Sequence, residues 1–266
     1  MNNSRIARDE SVQQVKPIPV ITFNQVRKSY PKPAFEKKKV VFHNLSFTCH
    51  AHTTMGLIGA NGAGKSTCIK LMMDFIRPDS GKIKLFGKAP ALDHEIRKKI
   101  GYLPETVNFP ANLNVLNLLN FTGAACEIPG KKIKERGQRL LEQLELWEVR
   151  KQLLRTYSKG MQQRASFAVA LINNPSLLIL DEPMSGLDPL GRQLIIDLIM
   201  ELKNQGKTIL FCSHILQDVD LLADEILILH KGKKLFTGPP DNLYDARGDE
   251  TLTEKYLQIV KKEANA

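Results

Sequence analysis

Several residue types that mark other classes of protein are scarce in this sequence. It has only four cysteines among 266 residues and no C-x-x-C pair, which argues against a disulfide framework or a zinc site. Apolar runs such as 165–172 are far shorter than the roughly 20 residues of a membrane-spanning helix. Residues 1–10 lack the apolar segment of a secretory signal. We therefore expect a cytosolic protein with reduced thiols.

Acidic residues are fewer than basic ones, and the formal net charge is +10. Such a surplus can bind nucleic acid, an anionic membrane surface or a polyphosphate, or it can form a solvated basic surface. Aromatic residues make up only 6% of the chain and are not interleaved with the basic clusters. For that reason we expect no nucleic acid partner. The basic clusters lie at 37–39, 131–136 and 231–234.

The hydrophobic pattern predicts an α/β fold. Short apolar runs typical of buried strands alternate with segments of helical periodicity, which favours a mostly parallel sheet. Alternating stretches from residue 20 to 49 predict an antiparallel β subdomain, with strands at 20–26, 40–42 and 45–49 and a loop at 31–39. A helical pattern at about 106–160 predicts an inserted helical subdomain, in which Asn114 caps one helix and another helix spans 133–147. Pro189 marks the start of a further helix that ends at about residue 204. We expect a flexible N-terminal tail at 1–18, a main domain at 19–238 and a small helical tail at 239–266.

A glycine-rich segment follows a predicted strand and fits the phosphate-binding pattern G-x-x-x-x-G-K-[ST]. With the helical pattern behind it, this segment would form a nest of backbone N–H groups at the positive end of a helix dipole. The Lys65 amine can reach the β- and γ-phosphates of a nucleotide, and the Ser66 hydroxyl suits a phosphate-bound Mg²⁺. The alternative is a glycine-rich turn before an ordinary helix. The segment consists of Gly59, Ala60, Asn61, Gly62, Ala63, Gly64, Lys65, Ser66 and Thr67.

Two further predicted strands end in polar residues. The strand at 177–180 is followed by Asp181 and Glu182, and the strand at 208–212 is followed, one residue later, by His214. Ligands of open α/β sheets bind at the carboxyl ends of strands. Asp181 would therefore hold Mg²⁺, Glu182 would polarise the attacking water, and His214 would donate to the γ-phosphate. The alternatives are acidic residues that merely end a strand and a structural histidine.

A second candidate anion site lies at residues 157–164, Y-S-K-G-M-Q-Q-R, where a helix is predicted to begin at Ser158 and Gly160. Helix N-termini bind phosphate, although Ser158 taken alone suits a plain N-cap better. One phosphate loop does not obviously need a second anion site in the same chain. A head-to-tail dimer would explain it, because this helix would then cover the nucleotide of the other subunit.

Together these residues resemble the ATP-binding cassette family, in its transporter ATPase subunits, over roughly residues 20–240. The most specific part is Y-S-K-G-M-Q-Q-R upstream of L-D-E-P, followed by S-G-L-D-P and S-H. The resemblance implies a P-loop NTPase core with an antiparallel β subdomain and an inserted α-helical subdomain. It makes 19–238 the ATPase domain. It also implies that ATP and Mg²⁺ are bound and that two copies sandwich two ATP molecules.

By position, the resemblance implies a role for each motif residue. The segment 59–67 matches the Walker A loop, Asp181 the Walker B aspartate and Glu182 the catalytic glutamate. His214 matches the switch histidine, and Lys65 belongs with Glu182 and His214 to the catalytic set. Nucleotide contacts are implied for Tyr30, which would stack on adenine, and, from the second copy, for Ser158, Gly160 and Asp188. The alternative for Tyr30 is a surface aromatic at the end of a strand.

Three positions depart from the family pattern. Glu105, in Y-L-P-E, stands where the family usually has a glutamine that meets Mg²⁺. We expect Glu105 to serve as a metal ligand with Ser66 and Asp181. A carboxylate cannot donate a hydrogen bond and adds negative charge near the γ-phosphate, so we expect function to be retained with altered tuning. Lys159 replaces a glycine and Met161 a glutamine in the signature motif; the phosphate contact of this motif should survive both changes.

The motifs resemble those of exporters of drugs, lipids, polysaccharides or sodium. We expect an ATP-binding and ATP-hydrolysing subunit of such an exporter, peripheral at the cytoplasmic face of the membrane. It would dimerise on ATP with a second copy or a close paralogue and drive a separate transmembrane permease. One alternative is a soluble cassette ATPase acting on nucleic acid or ribosomes, whose members usually carry two cassettes or long coiled coils. The other is a module that binds ATP only as a switch.

Overall fold

A computed structural model describes residues 17–31, 38–90, 93–243 and 251–264. Most of the predicted tail at 1–18, most of the predicted loop at 31–39 and parts of the C-terminal segment lie outside these residues. The described strands are β1 (Pro19–Tyr30), β2 (Lys39–His50), β3 (Thr54–Ile58), β4 (Ser80–Leu85), β5 (Ile100–Leu103), β6 (Leu177–Asp181), β7 (Thr208–Cys212), β8 (Glu225–His230) and β9 (Lys233–Gly238). The described helices are α1 (Lys65–Met72), α2 (His94–Arg97), α3 (Val115–Ala125), α4 (Gly130–Gln143), α5 (Lys159–Leu171), α6 (Pro189–Asn204), α7 (Leu216–Leu222) and α8 (Leu252–Ala264).

The larger sheet has six strands in the order β5-β6-β7-β3-β8-β9. Its neighbouring strands run parallel except for the antiparallel hairpin β8–β9. Every residue of β3, β6 and β7 is buried, as expected for parallel strands covered on both faces. The predicted mostly parallel α/β fold is confirmed.

The smaller sheet is antiparallel, with the order β2-β1-β4. The sequence pattern predicted two separate strands at 40–42 and 45–49, whereas β2 is continuous. His43 and Asn44 interrupt the apolar alternation at a register shift, where the pairing moves from Val26↔Leu45 to Lys28↔Phe42. The bulge locally disturbs the alternation of side chains without ending the strand pairing.

The two faces of the larger sheet belong to two separate cores, because successive residues of a strand point to opposite faces. One core joins the sheet to the antiparallel sheet and α1; its strand residues include Leu177, Ile179, Leu210 and Leu227. The other core joins the sheet to helices α3 to α8; its strand residues include Leu178, Leu180, Phe211 and Ile226. The sheet is therefore the central layer, and its carboxyl edge stays open between the two flanking layers.

The helical region shows both a confirmed and a corrected boundary. The predicted cap of α3 is present, since Asn114 Oδ1 accepts a hydrogen bond of 3.0 Å from the Asn117 N–H. The predicted helix at 133–147 is wrong at its end, because α4 stops at Gln143 and Glu145 has a φ of 55°. Within the described ranges, no helix is both long and apolar enough to cross a membrane.

Candidate active site

The loop between β3 and α1 owes its shape to glycine. Gly64 has a φ of 114°, and a Cβ there would lie 2.5 Å from Cε1 of Phe42. A Cβ at Gly59 would lie 2.5 Å from the carbonyl oxygen of Leu229. Larger residues at either position would push the loop away from β2 or β8. The loop therefore lies close against both sheets.

The start of α1 leaves backbone donors available to a ligand. The N–H groups in the first turn of a helix have no intrahelical partner. At α1 no side chain replaces that partner, because the N-cap residue is Gly64. Lys65 is only 8% exposed, and its Nζ donates a hydrogen bond of 2.7 Å to the carbonyl oxygen of Gly59. The loop thus combines free N–H groups, a helix dipole and a buried ammonium, which together suit a phosphate chain.

A cleft of about 430 Å³ opens over this loop. Tyr30 enters it from the end of β1, and its hydroxyl lies 3.5 Å from Oγ1 of Thr67. Sequence reasoning missed Lys39, Val41 and Lys70, which also line the cleft; Lys39 was visible only as part of the basic cluster at 37–39. The predicted residues that line the cleft are Tyr30, Ala60, Asn61, Gly62, Gly64, Lys65, Ser66, Thr67, Glu105, Asp181 and Glu182.

Three carboxyl groups meet at one side of the cleft. The pKa of Asp181 is raised from 3.8 to about 6, mainly by burial and in addition by the charges of Glu105 and Glu182, while Lys65 opposes the rise. Within the described chain, no group of three or more His, Cys, Asp or Glu residues is arranged to hold a metal by itself. The oxygen donors of Ser66, Asp181 and Glu105 nevertheless fit Mg²⁺, which at nucleotide sites usually takes one or two carboxylates plus phosphate oxygens.

Glu182 and His214 are brought together by strand register. Because Asp181 pairs with Cys212 in the parallel β6–β7 ladder, the residues that follow both strands emerge side by side. The Glu182 N–H donates to the Cys212 carbonyl at 3.2 Å, and Nδ1 of His214 lies 2.7 Å from Oε2 of Glu182. The Glu182 side chain is 12% exposed and that of His214 is 62% exposed. This pair therefore connects the cleft with the open surface.

Six predicted site residues do not line the cleft. Gly59 and Ala63 are buried in the loop between β3 and α1, and His214 lies beside Glu182. The other three lie at the starts of α5 and α6. Ser158 is exposed and caps α5, since its Oγ accepts a hydrogen bond of 3.2 Å from the Met161 N–H. Asp188 is exposed and caps α6 by accepting a bond of 3.0 Å from the Gly191 N–H. Gly160 lies near Leu187, so the starts of α5 and α6 are neighbours. Within one chain these residues are part of a separate exposed face.

The fold and the cleft define a nucleotide-binding α/β domain of the P-loop kind. Residues 42–185, more than half of the chain, match the family described as ABC transporter. The chain belongs to this family: it is an ABC ATPase domain and an ATP-binding subunit of a transporter. The predicted family and the predicted ATPase class are thereby confirmed.

Individual relatives agree with this assignment. An uncharacterised ABC transporter ATP-binding protein of Nostoc sp. is 39% identical over 250 residues, which cover 90% of this chain and 74% of that protein. The Nod factor export ATP-binding protein I of Ralstonia nicotianae is 33% identical, covering 85% of this chain and 68% of that protein. A solved structure of the ATP-binding subunit of an ABC transporter superposes with a TM-score of 0.81 at 29% identity, over 90% of this chain and 99% of that one.

Proposed function

We propose that this chain is the ATP-hydrolysing subunit of a membrane exporter and that it drives a separate permease through ATP-dependent dimerisation. The observation that carries the proposal is the contact of 2.7 Å between His214 and Glu182, beside a cleft lined by Lys65 and Asp181. Hydrolysis needs such a positioned base next to a phosphate cradle. The similarity to a protein named for Nod factor export supports the direction of transport.

In this proposal, ATP lies along the cleft with its adenine on Tyr30. The N–H groups of the first turn of α1 bind the phosphates, with Lys65 between the β- and γ-phosphates. Its Nζ now bonds to the Gly59 carbonyl and would exchange that partner for phosphate oxygens. Lys39 and Lys70 at the cleft wall add positive charge to the site.

Mg²⁺ would be held by Ser66 and Asp181, with Glu105 as a further oxygen donor. When bound, the metal neutralises charge on the transferred phosphoryl group. The carboxylates of Glu105 and Glu182 raise the pKa of Asp181. Together with Asp181 they give this side of the cleft the negative potential that favours a divalent cation.

For hydrolysis, the Glu182 carboxylate orients the attacking water and accepts its proton. The imidazole of His214 keeps this carboxylate in place through Nδ1. If Nδ1 donates to Glu182, Nε2 can donate to a phosphate oxygen only in the imidazolium form, because a neutral imidazole has one N–H. His214 thereby connects the position of Glu182 with the presence of the γ-phosphate.

The exposed face around Ser158, Gly160 and Asp188 would cover the ATP of a second copy or a close paralogue. The Ser158 oxygen accepts from Met161, and its hydroxyl hydrogen remains available to a phosphate across the interface. We propose 19–238 as the ATPase domain, about 106–160 as its helical subdomain and 239–266 as a C-terminal tail. A permease partner would place the chain at the cytoplasmic face of the membrane.

The substitution Glu182→Gln tests the proposal. It keeps the shape of the side chain and removes the base, so steady-state ATP turnover should fall by about 100-fold or more. Binding of an ATP analogue should persist, and light scattering should show an ATP-dependent dimer. The control is Glu201→Gln, an exposed glutamate on α6 that bonds to Gln143 and Gln205.

Two results would contradict the proposal. The first is near wild-type turnover in E182Q, which would remove Glu182 from catalysis. The second concerns the partner: a polytopic membrane protein should co-purify with the tagged chain. Co-purification of nucleic acid or ribosomes in its place would favour the soluble cassette alternative.

A further inference from the structure

Gln163 makes a buried hydrogen bond that the roles above do not use. This residue lies in α5, within two turns of Ser158, and is only 5% exposed. Its Nε2 donates a hydrogen bond of 3.1 Å to the carbonyl oxygen of Pro183. Pro183 directly follows Glu182, so the bond fixes the peptide group between Pro183 and Met184, one residue beyond the proposed base.

The backbone of Glu182 needs such support. Its φ is 52°, in the left-handed region that non-glycine residues rarely adopt. A conformation of this kind persists only where the surroundings hold it. On one side the Glu182 N–H bonds to the Cys212 carbonyl at 3.2 Å, and within the turn the Ser185 N–H bonds to the Glu182 carbonyl at 3.0 Å. Gln163 supplies the support from outside the sheet edge.

Two further contacts attach the start of α5 to the turn that follows Glu182. The side chain of Lys159 packs against Gly186, since a Cβ at Gly186 would lie 2.5 Å from Cε of Lys159. A Cβ at Gly160 would lie 3.5 Å from Cδ2 of Leu187. The first turns of α5 and the segment 183–187 therefore pack against each other. The bond from Gln163 to Pro183 is a buried hydrogen bond within this unit.

We propose that Gln163 is a positioning residue: it holds the Glu182 carboxylate in place and couples its position to the ATP bound across the dimer interface. The coupling rests on the proposed function, in which Ser158 and Gly160 at the start of α5 contact the partner's ATP. When that ATP fixes the start of α5, the hydrogen bond of Gln163 would in turn fix the segment that follows Glu182 in the same chain. Because Gln163 does not line the cleft, it should act on turnover and cooperativity and leave the affinity of a chain for its own ATP unchanged.

The test replaces Gln163 with Met, which keeps the length of the side chain and removes the donor. We expect kcat to fall by about tenfold and the Hill coefficient for ATP to fall towards one, with an unchanged Kd for an ATP analogue. The control is Gln138→Met. Gln138 is an exposed residue of α4, and its Nε2 donates a hydrogen bond of 2.9 Å to Oε1 of Glu142, away from the cleft and from the start of α5. This control should keep both kcat and the Hill coefficient.

A double-mutant cycle separates positioning from a merely structural role. If Gln163 acts through Glu182, Gln163→Met should cause no further loss of single-turnover rate when Glu182 is already Gln. An additive loss in that background, or a Q163M protein with wild-type kcat and cooperativity, would overturn the inference. Should Q163M not fold, Gln163→Asn, which keeps the amide on a shorter stem, is measured in the same way with the same criteria. Failure of the proposed function would look different, because E182Q would then hydrolyse ATP at the wild-type rate.

Discussion

Nδ1 of His214 lies 2.7 Å from Oε2 of Glu182, although 32 positions separate the two residues in the chain. The contact follows from the parallel register of β6 and β7, which sets Asp181 opposite Cys212. Two of the three residues that the sequence predicts for catalysis therefore form one hydrogen-bonded unit. Substitution of either residue should affect the same step.

The first prediction concerns His214→Ala. Without the imidazole, the Glu182 carboxylate loses its partner, and we expect kcat to fall by about 100-fold. ATP affinity should change little, because the groups proposed to hold most of the phosphate chain, Lys65 and the first turn of α1, stay in place. Steady-state phosphate release and analogue binding measure the two effects. His94→Ala is the control, since His94 is exposed on α2 and lies 3.8 Å from Glu127. Normal turnover in H214A would remove His214 from the catalytic unit.

The second prediction concerns the phosphate loop. In Gly64→Ala the alanine would have to keep a φ of 114°, and its Cβ would lie 2.5 Å from the Phe42 ring. We expect it to lower the free energy of unfolding by about 3 kcal/mol and to abolish ATP binding. Gly87→Ala is the matched control, because Gly87 has a φ of 79° and a Cβ there would meet no atom within 4 Å. It should cost about 1 kcal/mol and leave ATP binding intact.

Urea unfolding and analogue titration of both glycine variants give the comparison. Equal losses of stability in G64A and G87A would show that the contact with Phe42 contributes nothing. In that case the backbone conformation alone would account for glycine at this position.

The third prediction concerns pH. Burial, with the charges of Glu105 and Glu182, raises the pKa of Asp181 from 3.8 to about 6. A carboxyl group whose pKa is raised by folding favours the folded state while protonated; this contribution is full below about pH 4 and is lost as the pH rises through about 6. Asp181→Asn stays neutral throughout. It should stabilise the nucleotide-free protein at pH 7 by on the order of 1–3 kcal/mol, and the gain should vanish near pH 4.

Unfolding free energies in EDTA, measured at pH 7 and at pH 4, test this sign. Glu105→Gln should give a smaller gain at pH 7, because it removes one of the charges that raise the pKa of Asp181. A D181N protein no more stable than wild type at pH 7 would show that ionised Asp181 costs the folded protein nothing.

The fourth prediction decides between stacking and a surface role for Tyr30. Its hydroxyl lies 3.5 Å from Oγ1 of Thr67, but stacking on adenine needs only the ring. Tyr30→Ala should weaken ATP binding by about tenfold, while Tyr30→Phe should keep nearly the wild-type affinity. Equilibrium titration with a labelled ATP analogue measures both. Equal affinities of the wild type, Y30A and Y30F would favour the interpretation of Tyr30 as a surface aromatic that does not contact ATP.

Much of the fold could be predicted from sequence because its signals are local. The strand at 208–212 and the helix at 189–204 agree with the residues of β7 and α6, since continuous burial and a proline at the first helical position mark them clearly. The cap at Asn114 is equally local. The end of α4 was not predictable in this way. Leu144 and Leu146 keep the apolar pattern and are buried, but they follow the end of the helix.

The sequence by itself determined which residues could do the chemistry: the phosphate loop, the carboxylates after one apolar strand and the histidine after another. Tertiary structure decided their relation. Strand register brought His214 next to Glu182, and burial raised the pKa of Asp181. Lys39 and Val41 line the cleft from β2, which carries no motif, and Lys70 lines it from the part of α1 beyond the motif. Tertiary structure also set Ser158 and Asp188 outside the cleft and joined Gln163 to Pro183. Register, burial and packing depend on residues that are distant in the chain, whereas a motif consists only of residues that are close together in the sequence.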